Sequence, residues 1–271
     1  MRDTERESWK AALRFYLRVF LLTWAWWLIP VITGTAPFTG KLFLALGGAM
    51  PLVSVLFFLG SREQRTAFLK RCVDFKGLSW QAYLLIFSLF PASNLAALLL
   101  HTGGKIPSEE LSAFSSSVRN PGMLFPFLLF MLFFGPLTEE PAWRGFVLDT
   151  VRERTSFWRL SAVNAFFWAL WHLPLFFMEG SYQQKVAAAG AGALVNYLAA
   201  FVPHTVLMIR FYDRYRRSVV SAILIHWSAN TWGELLAIPE EAKGWRTLIE
   251  AAVVLGIILM DKTKEKNGKT E

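Results

Sequence analysis

Charged residues are scarce in this chain of 271 residues: Asp, Glu, Lys and Arg make up 18% of it, whereas they make up about 25% of an ordinary soluble domain. Hydrophobic residues make up 54%, and they include 24 Phe and 12 Trp. This shortage of charge excludes an ordinary water-soluble globular domain. It indicates a single integral-membrane domain over residues 1–271.

Cysteine is nearly absent as well, since Cys72 is the only one. A single cysteine excludes an internal disulfide and any metal site built from several cysteines. The chain also has no G-x-S-x-G and no H-E-x-x-H motif, which are sequence signatures of a serine nucleophile and of a zinc protease helix. We expect Cys72 to be an inert thiol in a loop.

The apolar runs lack the alternation of apolar and polar residues that membrane barrel strands require. A membrane-spanning helix needs about 20 apolar residues, and its backbone groups must be satisfied internally. We therefore predict an all-α polytopic protein with about eight transmembrane helices. The predicted spans are 15–34, 42–60, 81–101, 122–137, 157–177, 186–209, 218–237 and 245–260.

The positions of the basic residues predict the orientation of these spans. With both termini in the cytosol, 22 of the 28 Lys and Arg residues fall in cytosolic segments and 6 fall outside. This bias follows the positive-inside rule. The net charge of +8 is then explained by topology and by anionic membrane lipid, so no nucleic-acid partner is predicted. We expect the first span to be retained rather than cleaved as a signal peptide.

One stretch from Thr138 to Arg144 interrupts a long apolar run with two carboxylates and a guanidinium. Ionisable groups within a membrane are costly, at least about 2.5–3.5 kcal/mol at the bilayer centre, and are candidates for function. Pro136 should end or kink the fourth span, and Thr138 could cap the next helical turn. Glu140 and Arg144 are four residues apart and could pair, which would leave Glu139 for another role.

Polar residues also recur at helical spacing in two later spans. Asn164, Trp168 and His172 are each four residues apart, so that they share one face of the fifth span. His226 and Asn230 are four apart in the seventh span. The chain has only four histidines, so two in separate spans are notable, although a lone histidine in such a helix is usually a packing residue.

These residues together contain what amide hydrolysis requires. A buried carboxylate, Glu139, could activate a water, and an imidazole could orient it. A second imidazole and the Asn230 carboxamide could donate hydrogen bonds to a developing oxyanion. Two alternatives stay open on the residues alone. His172, His226 and Glu139 could instead bind zinc, or the motif could serve packing in a non-enzymatic transporter, scaffold or immunity protein.

The three motifs together resemble those of the type II CAAX prenyl endopeptidases, the Ras-converting branch of the CPBP or ABI intramembrane protease family. The resemblance covers roughly residues 122–237, and the first three spans carry no motif. The family's usual Phe four residues before the motif histidine is Trp168 here. The matching residues are Glu139-Glu140-x-x-x-Arg144, an aromatic-x-x-x-His ending at His172, and His226-x-x-x-Asn230.

This resemblance implies a glutamate-dependent endopeptidase that removes the last three residues of a prenylated Cys-a-a-X protein. Its substrate would carry a farnesyl or geranylgeranyl group and would enter a central cavity open to the cytosolic leaflet. No metal and no other cofactor is implied. Carried over by position, Glu139 would be the general base, and His172 would help it. His226 and Asn230 would form the oxyanion hole. Glu140 and Arg144 would support the site, and Trp168 is a candidate substrate contact.

Overall fold

A computed structural model describes residues 3–34, 37–105, 118–236 and 238–267. Every regular element in these ranges is helical, so the prediction of an all-α polytopic fold is confirmed. The α-helices are α1 (Asp3–Thr33), α2 (Pro37–Phe58), α3 (Arg62–Cys72), α4 (Trp80–His101), α5 (Pro121–Phe133), α6 (Pro136–Glu140), α7 (Val147–Val151), α8 (Phe157–Trp171), α9 (Tyr182–Ala188), α10 (Ala191–Arg214), α11 (Val219–Leu235) and α12 (Lys243–Asn267).

Six stretches of helix in the described residues are long and apolar enough to cross a membrane. The predicted spans 218–237 and 245–260 correspond to α11, which has 17 residues, and to α12; residue 237 lies outside the described residues. The total of eight spans and the cytosolic position of both termini stay predictions. The six stretches are Asp3–Thr33, Gly40–Phe58, Trp80–His101, Pro121–Arg154, Phe157–Phe177 and Ala191–Arg214.

The fourth predicted span is interrupted at Gly135, as the proline that follows it suggested. Helix α6 begins at Pro136 and is capped by Gly135, so the expectation that Thr138 caps the new helix is wrong. The Thr138 hydroxyl instead donates a hydrogen bond of 3.1 Å to the Gly135 carbonyl oxygen. After α6 the backbone widens into a π-helical turn over Pro141–Phe146, a deviation that often occurs at functional sites.

Two other spans are also less regular than predicted. Helix α8 ends at Trp171 and a 3₁₀ turn follows over Leu173–Phe177, because a residue before a proline, here Leu173 before Pro174, disfavours the α conformation. The predicted span 186–209 is divided between α9 and α10, which Gly190 separates at a φ of 103°. Because α8 ends at Trp171, His172 lies at the C-terminal end of that helix.

Helix α11 lies in the centre of the molecule. Every residue in the range Val219–His226 is buried, as expected of a helix that is surrounded by other helices. Polar side chains fasten it to its neighbours: Ser228 Oγ donates to the Ile86 carbonyl oxygen of α4 over 2.8 Å. Trp227 Nε1 donates to the Leu128 carbonyl oxygen of α5 over 3.0 Å. The helix that carries His226 and Asn230 is thus held on two sides.

Helix α3 packs across the π-helical turn. A Cβ atom on Gly145 would lie 2.8 Å from the ring of Phe68, so a side chain at position 145 would force the ring to shift. Arg71 forms a salt bridge with Asp149 of α7. Cys72, at the end of α3, is buried, and burial raises the pKa of its thiol to about 12. This agrees with the expectation of an inert thiol.

Close packing between α1 and α2 depends on Gly47. A Cβ atom there would lie 2.3 Å from Nε1 of Trp27, whereas a Cβ atom on the adjacent Gly48 would meet nothing within 4 Å. Trp27 is buried, and its Nε1 donates to the Leu44 carbonyl oxygen over 3.0 Å. Alanine at position 47 would therefore force the indole or the backbone to shift.

Gly47→Ala should therefore lower the thermal unfolding temperature of the detergent-purified protein, since overpacking a core costs about 1–3 kcal/mol. Gly48→Ala is the matched control, and it should be neutral or stabilising because alanine favours a helix by about 1 kcal/mol over glycine. Equal unfolding temperatures for the two variants would contradict this packing.

Candidate active site

Arg144 and Glu140 form an ion pair that is entirely buried. Nη1 of Arg144 lies 3.1 Å from Glu140 Oε1, and both side chains are 0% exposed. Nη2 of Arg144 donates to the hydroxyl of Thr205 on α10 over 2.9 Å. The pairing that the spacing of four residues predicted is present. Because an arginine stays charged in proteins, its burial here requires a carboxylate close by.

Glu139 points to a different set of partners. Its Oε2 accepts a hydrogen bond of 2.8 Å from Nε1 of Trp168, and the residue is 6% exposed. The indole of Trp168 also lies under the guanidinium of Arg144, with Cζ 3.9 Å from the ring centroid, a distance typical of a cation–π contact. Trp168 thus holds one oxygen of Glu139 and covers the ion pair. The substrate contact predicted for Trp168 stays a prediction.

His226 is linked to the second carboxylate rather than to the first. Its Nδ1 lies 2.8 Å from Glu140 Oε1. A carboxylate that is paired with an arginine can only accept hydrogen bonds, so Nδ1 of His226 carries the proton. Nε2 is then the nitrogen left for other chemistry. It can donate a hydrogen bond only when the ring is doubly protonated and positively charged.

His172 has its tautomer fixed by the backbone. Its Nδ1 lies 2.8 Å from the Trp168 carbonyl oxygen, which can only accept, so Nδ1 donates and Nε2 is free to accept. The ring packs against Phe201, with centroids 5.3 Å apart, and lies within electrostatic range of Glu139 and His226. An unprotonated Nε2 in this position is suited to orienting a water molecule.

Asn230 lies one turn after His226 on α11, and its amide approaches the same place as Glu139. The position that a Cβ atom on Gly135 would take is 3.5 Å from Glu139 Oε1 and 3.6 Å from Asn230 Nδ2. It is 3.7 Å from Cε1 of His226. We call this position the reaction point. A carboxylate oxygen and an amide nitrogen therefore both lie within 4 Å of it.

Other predicted features lie away from this point. Asn164 is buried and donates to the Tyr16 hydroxyl and to the Trp143 carbonyl oxygen over 3.1 and 3.2 Å, so it links helices rather than facing Glu139. A hollow of about 230 Å³ lies beside α1 and α8, and the predicted central cavity stays a prediction. Residues lining the hollow are Trp9, Leu13, Tyr16, Arg159, Val163 and Phe167.

The structure also places together residues that the sequence did not single out. Thr205 of α10 is fully buried beside Arg144, and Phe201 packs on both Trp168 and His172. A threonine and a phenylalanine in an apolar helix give no signal of such a role. Among the described residues, no three His, Cys, Asp or Glu side chains are arranged to hold a metal ion.

Comparison with known proteins identifies a family and a relative that this chain resembles. A family model described as type II CAAX prenyl endopeptidase Rce1-like matches residues 121–232. CAAX prenyl protease 2 of Methanococcus maripaludis is 28% identical over 257 residues, which are 92% of this chain and 93% of that protein. The part of the chain that carries the predicted site is therefore similar to the type II CAAX prenyl endopeptidases. All seven predicted site residues lie within the matched range.

The two carboxylates should differ in their effect on the stability of the protein. Glu140→Ala should lower its free energy of unfolding by about 3–5 kcal/mol, because a buried cation would lose its partner. Glu139→Ala should lower it less, since Glu139 gives up one hydrogen bond with a neutral indole. Thermal unfolding in detergent measures both. Equal losses for the two variants would show that Glu140 has no special structural role.

Proposed function

We propose that this protein is an intramembrane endopeptidase that removes the C-terminal tripeptide from prenylated Cys-a-a-X proteins. The observation that carries the proposal is the separation of the two carboxylates. Glu140 is bound to Arg144 and His226, whereas Glu139 has one oxygen on Trp168 and the other at the reaction point. One carboxylate is therefore free to take up a proton.

Glu139 is proposed to act first as a base. A water between Glu139 and Nε2 of His172 would lose a proton to the carboxylate as its oxygen attacks the scissile carbonyl carbon. The C–N bond of the resulting tetrahedral intermediate then breaks. Glu139 returns the proton to the leaving nitrogen, so that the products are a prenylated cysteine carboxylate and a free tripeptide. The same group serves as base and then as acid.

The oxyanion of the intermediate is proposed to be stabilised from α11. Asn230 Nδ2 offers a neutral donor, and the doubly protonated ring of His226 would offer Nε2. A pre-positioned donor of this kind contributes about 2.7–4 kcal/mol in a soluble protease. Arg144 and Glu140 would support this arrangement through His226.

Access is proposed from the membrane. The site lies on helices whose predicted orientation places Glu139 near the cytosolic side, where prenylated tails insert. Among the described residues, helix α5, which leads into the site, exposes Met123, Phe125, Phe130 and Phe133. Such a surface suits lipid and could also receive an isoprenoid. We propose that the substrate's isoprenoid stays in this apolar layer while its peptide reaches Glu139.

Glu139→Gln should abolish cleavage of a farnesylated Cys-a-a-X peptide by the purified protein in lipid vesicles. Glutamine keeps the size of the side chain and can still accept from Trp168, but it cannot take up the water's proton, so a loss of at least ~100-fold is expected. Release of the tripeptide is measured by mass spectrometry. Glu179→Gln is the matched control, because Glu179 is exposed outside the site, and it should cleave at the unchanged rate.

The same assay separates this proposal from its alternatives. A chelator should leave the rate unchanged, whereas loss of cleavage that zinc restores would favour a zinc protease. The peptide without its farnesyl group should be a poor substrate. If the wild-type protein releases no tripeptide from any prenylated peptide, the enzymatic proposal is wrong and a non-enzymatic membrane role is favoured.

A further inference from the structure

Gly135 lies beside the reaction point and, as a glycine, has no side chain to fill it. The residue has a φ of 134° and a ψ of −89°, a conformation that side-chain-bearing residues rarely adopt. The face of its Cα that would carry a side chain is turned towards Glu139 Oε1, Asn230 Nδ2 and His226 Cε1. The missing side chain therefore leaves open the place where the proposed base and donors meet.

Two polar atoms at this place have no partner within the described residues. Glu139 Oε1 makes no hydrogen bond, since the one bond of that carboxylate goes from Trp168 to Oε2. Asn230 Nδ2 makes none either, although it lies 3.6 Å from the reaction point. Glu139 is buried and Asn230 is half-buried, and both atoms border the place that the missing side chain leaves open. A bound molecule at this place would supply the missing partners.

We propose that position 135 must be glycine so that the scissile carbonyl and the attacking water fit at the reaction point, between Glu139 and Asn230. The proposal rests on the proposed hydrolysis and adds Gly135 to its machinery. It also limits the substrate. A flat group such as a peptide unit would lie against the Cα of Gly135, close to both polar atoms.

The distances show what a methyl group would do here. At 3.5 to 3.7 Å, a Cβ atom on Gly135 would be in ordinary van der Waals contact with all three neighbours, so none of them would have to move. The methyl group would simply occupy the reaction point. Non-bonded carbon atoms approach to about 3.5–4.0 Å, so the scissile carbonyl and the attacking water could no longer fit between Glu139 and Asn230.

The backbone conformation at position 135 is a second reason for glycine there, separate from the space that the substrate needs. Gly135 also caps α6, and its carbonyl oxygen accepts from the backbone N–H of Glu139 over 2.8 Å. Its positive φ alone would make alanine unfavourable. Gly190 is a matched control, because it caps α10 at a φ of 103°, is exposed and would place a Cβ atom within 4 Å of nothing.

The test compares Gly135→Ala with Gly190→Ala in the full-length protein in lipid vesicles. Unfolding temperature, kcat and KM are measured with a farnesylated Cys-a-a-X peptide. Both variants should unfold at similar temperatures. Gly135→Ala should lower kcat by at least ~100-fold, as expected when reacting groups are displaced by about 1 Å. Its KM should stay within about threefold of wild type, because the isoprenoid binds elsewhere.

Two results would overturn the proposal. One is a kcat for Gly135→Ala within about threefold of that for Gly190→Ala, a difference of less than 1 kcal/mol. The other is unfolding of Gly135→Ala while Gly190→Ala stays folded, which would show that the backbone conformation alone requires glycine at position 135. Cleavage by the wild-type protein and by Gly190→Ala tests the proposed hydrolysis separately from the role of Gly135, since neither protein has an added atom at the reaction point.

Discussion

The buried ion pair between Arg144 and Glu140 is the interaction on which the site depends. A guanidinium that is 0% exposed keeps its charge and must be compensated where it lies. Glu140 provides that charge and also fixes the proton on Nδ1 of His226. Glu140 is held by these two partners, and its neighbour Glu139 is the carboxylate that we propose for proton transfer. The chemical difference between Glu139 and Glu140 thus follows from electrostatics.

Backbone irregularity places these groups around one point. The break at Gly135 ends one helix and starts the next, and Arg144, in the π-helical turn after Glu140, contacts both Glu140 and Thr205. Helix α11 brings His226 and Asn230 to the same place, and bonds to α4 and α5 hold it there. A site between helices that are fixed in this way needs little rearrangement to position a water.

The sequence was sufficient for the features that depend on local spacing and composition. Apolar runs predicted the helical membrane fold, and a separation of four residues predicted the Glu140–Arg144 pair. Helix ends were harder, since Gly135 rather than Thr138 caps α6. Long-range contacts could not be predicted, because Trp168, Thr205 and His226 are separated from their partners by 29, 61 and 86 residues. Only the packed structure brings them together, and the catalytic roles remain proposals.

The central claim is that Glu139 acts on water and does not attack the substrate itself. A single turnover in H₂¹⁸O with excess enzyme tests it most directly, by mass spectrometry of the prenylated cysteine product and of the enzyme peptide that contains Glu139. We predict one ¹⁸O atom in the new carboxylate of the product and none in Glu139. Incorporation of ¹⁸O into the Glu139 carboxylate would indicate a covalent anhydride and would contradict the account.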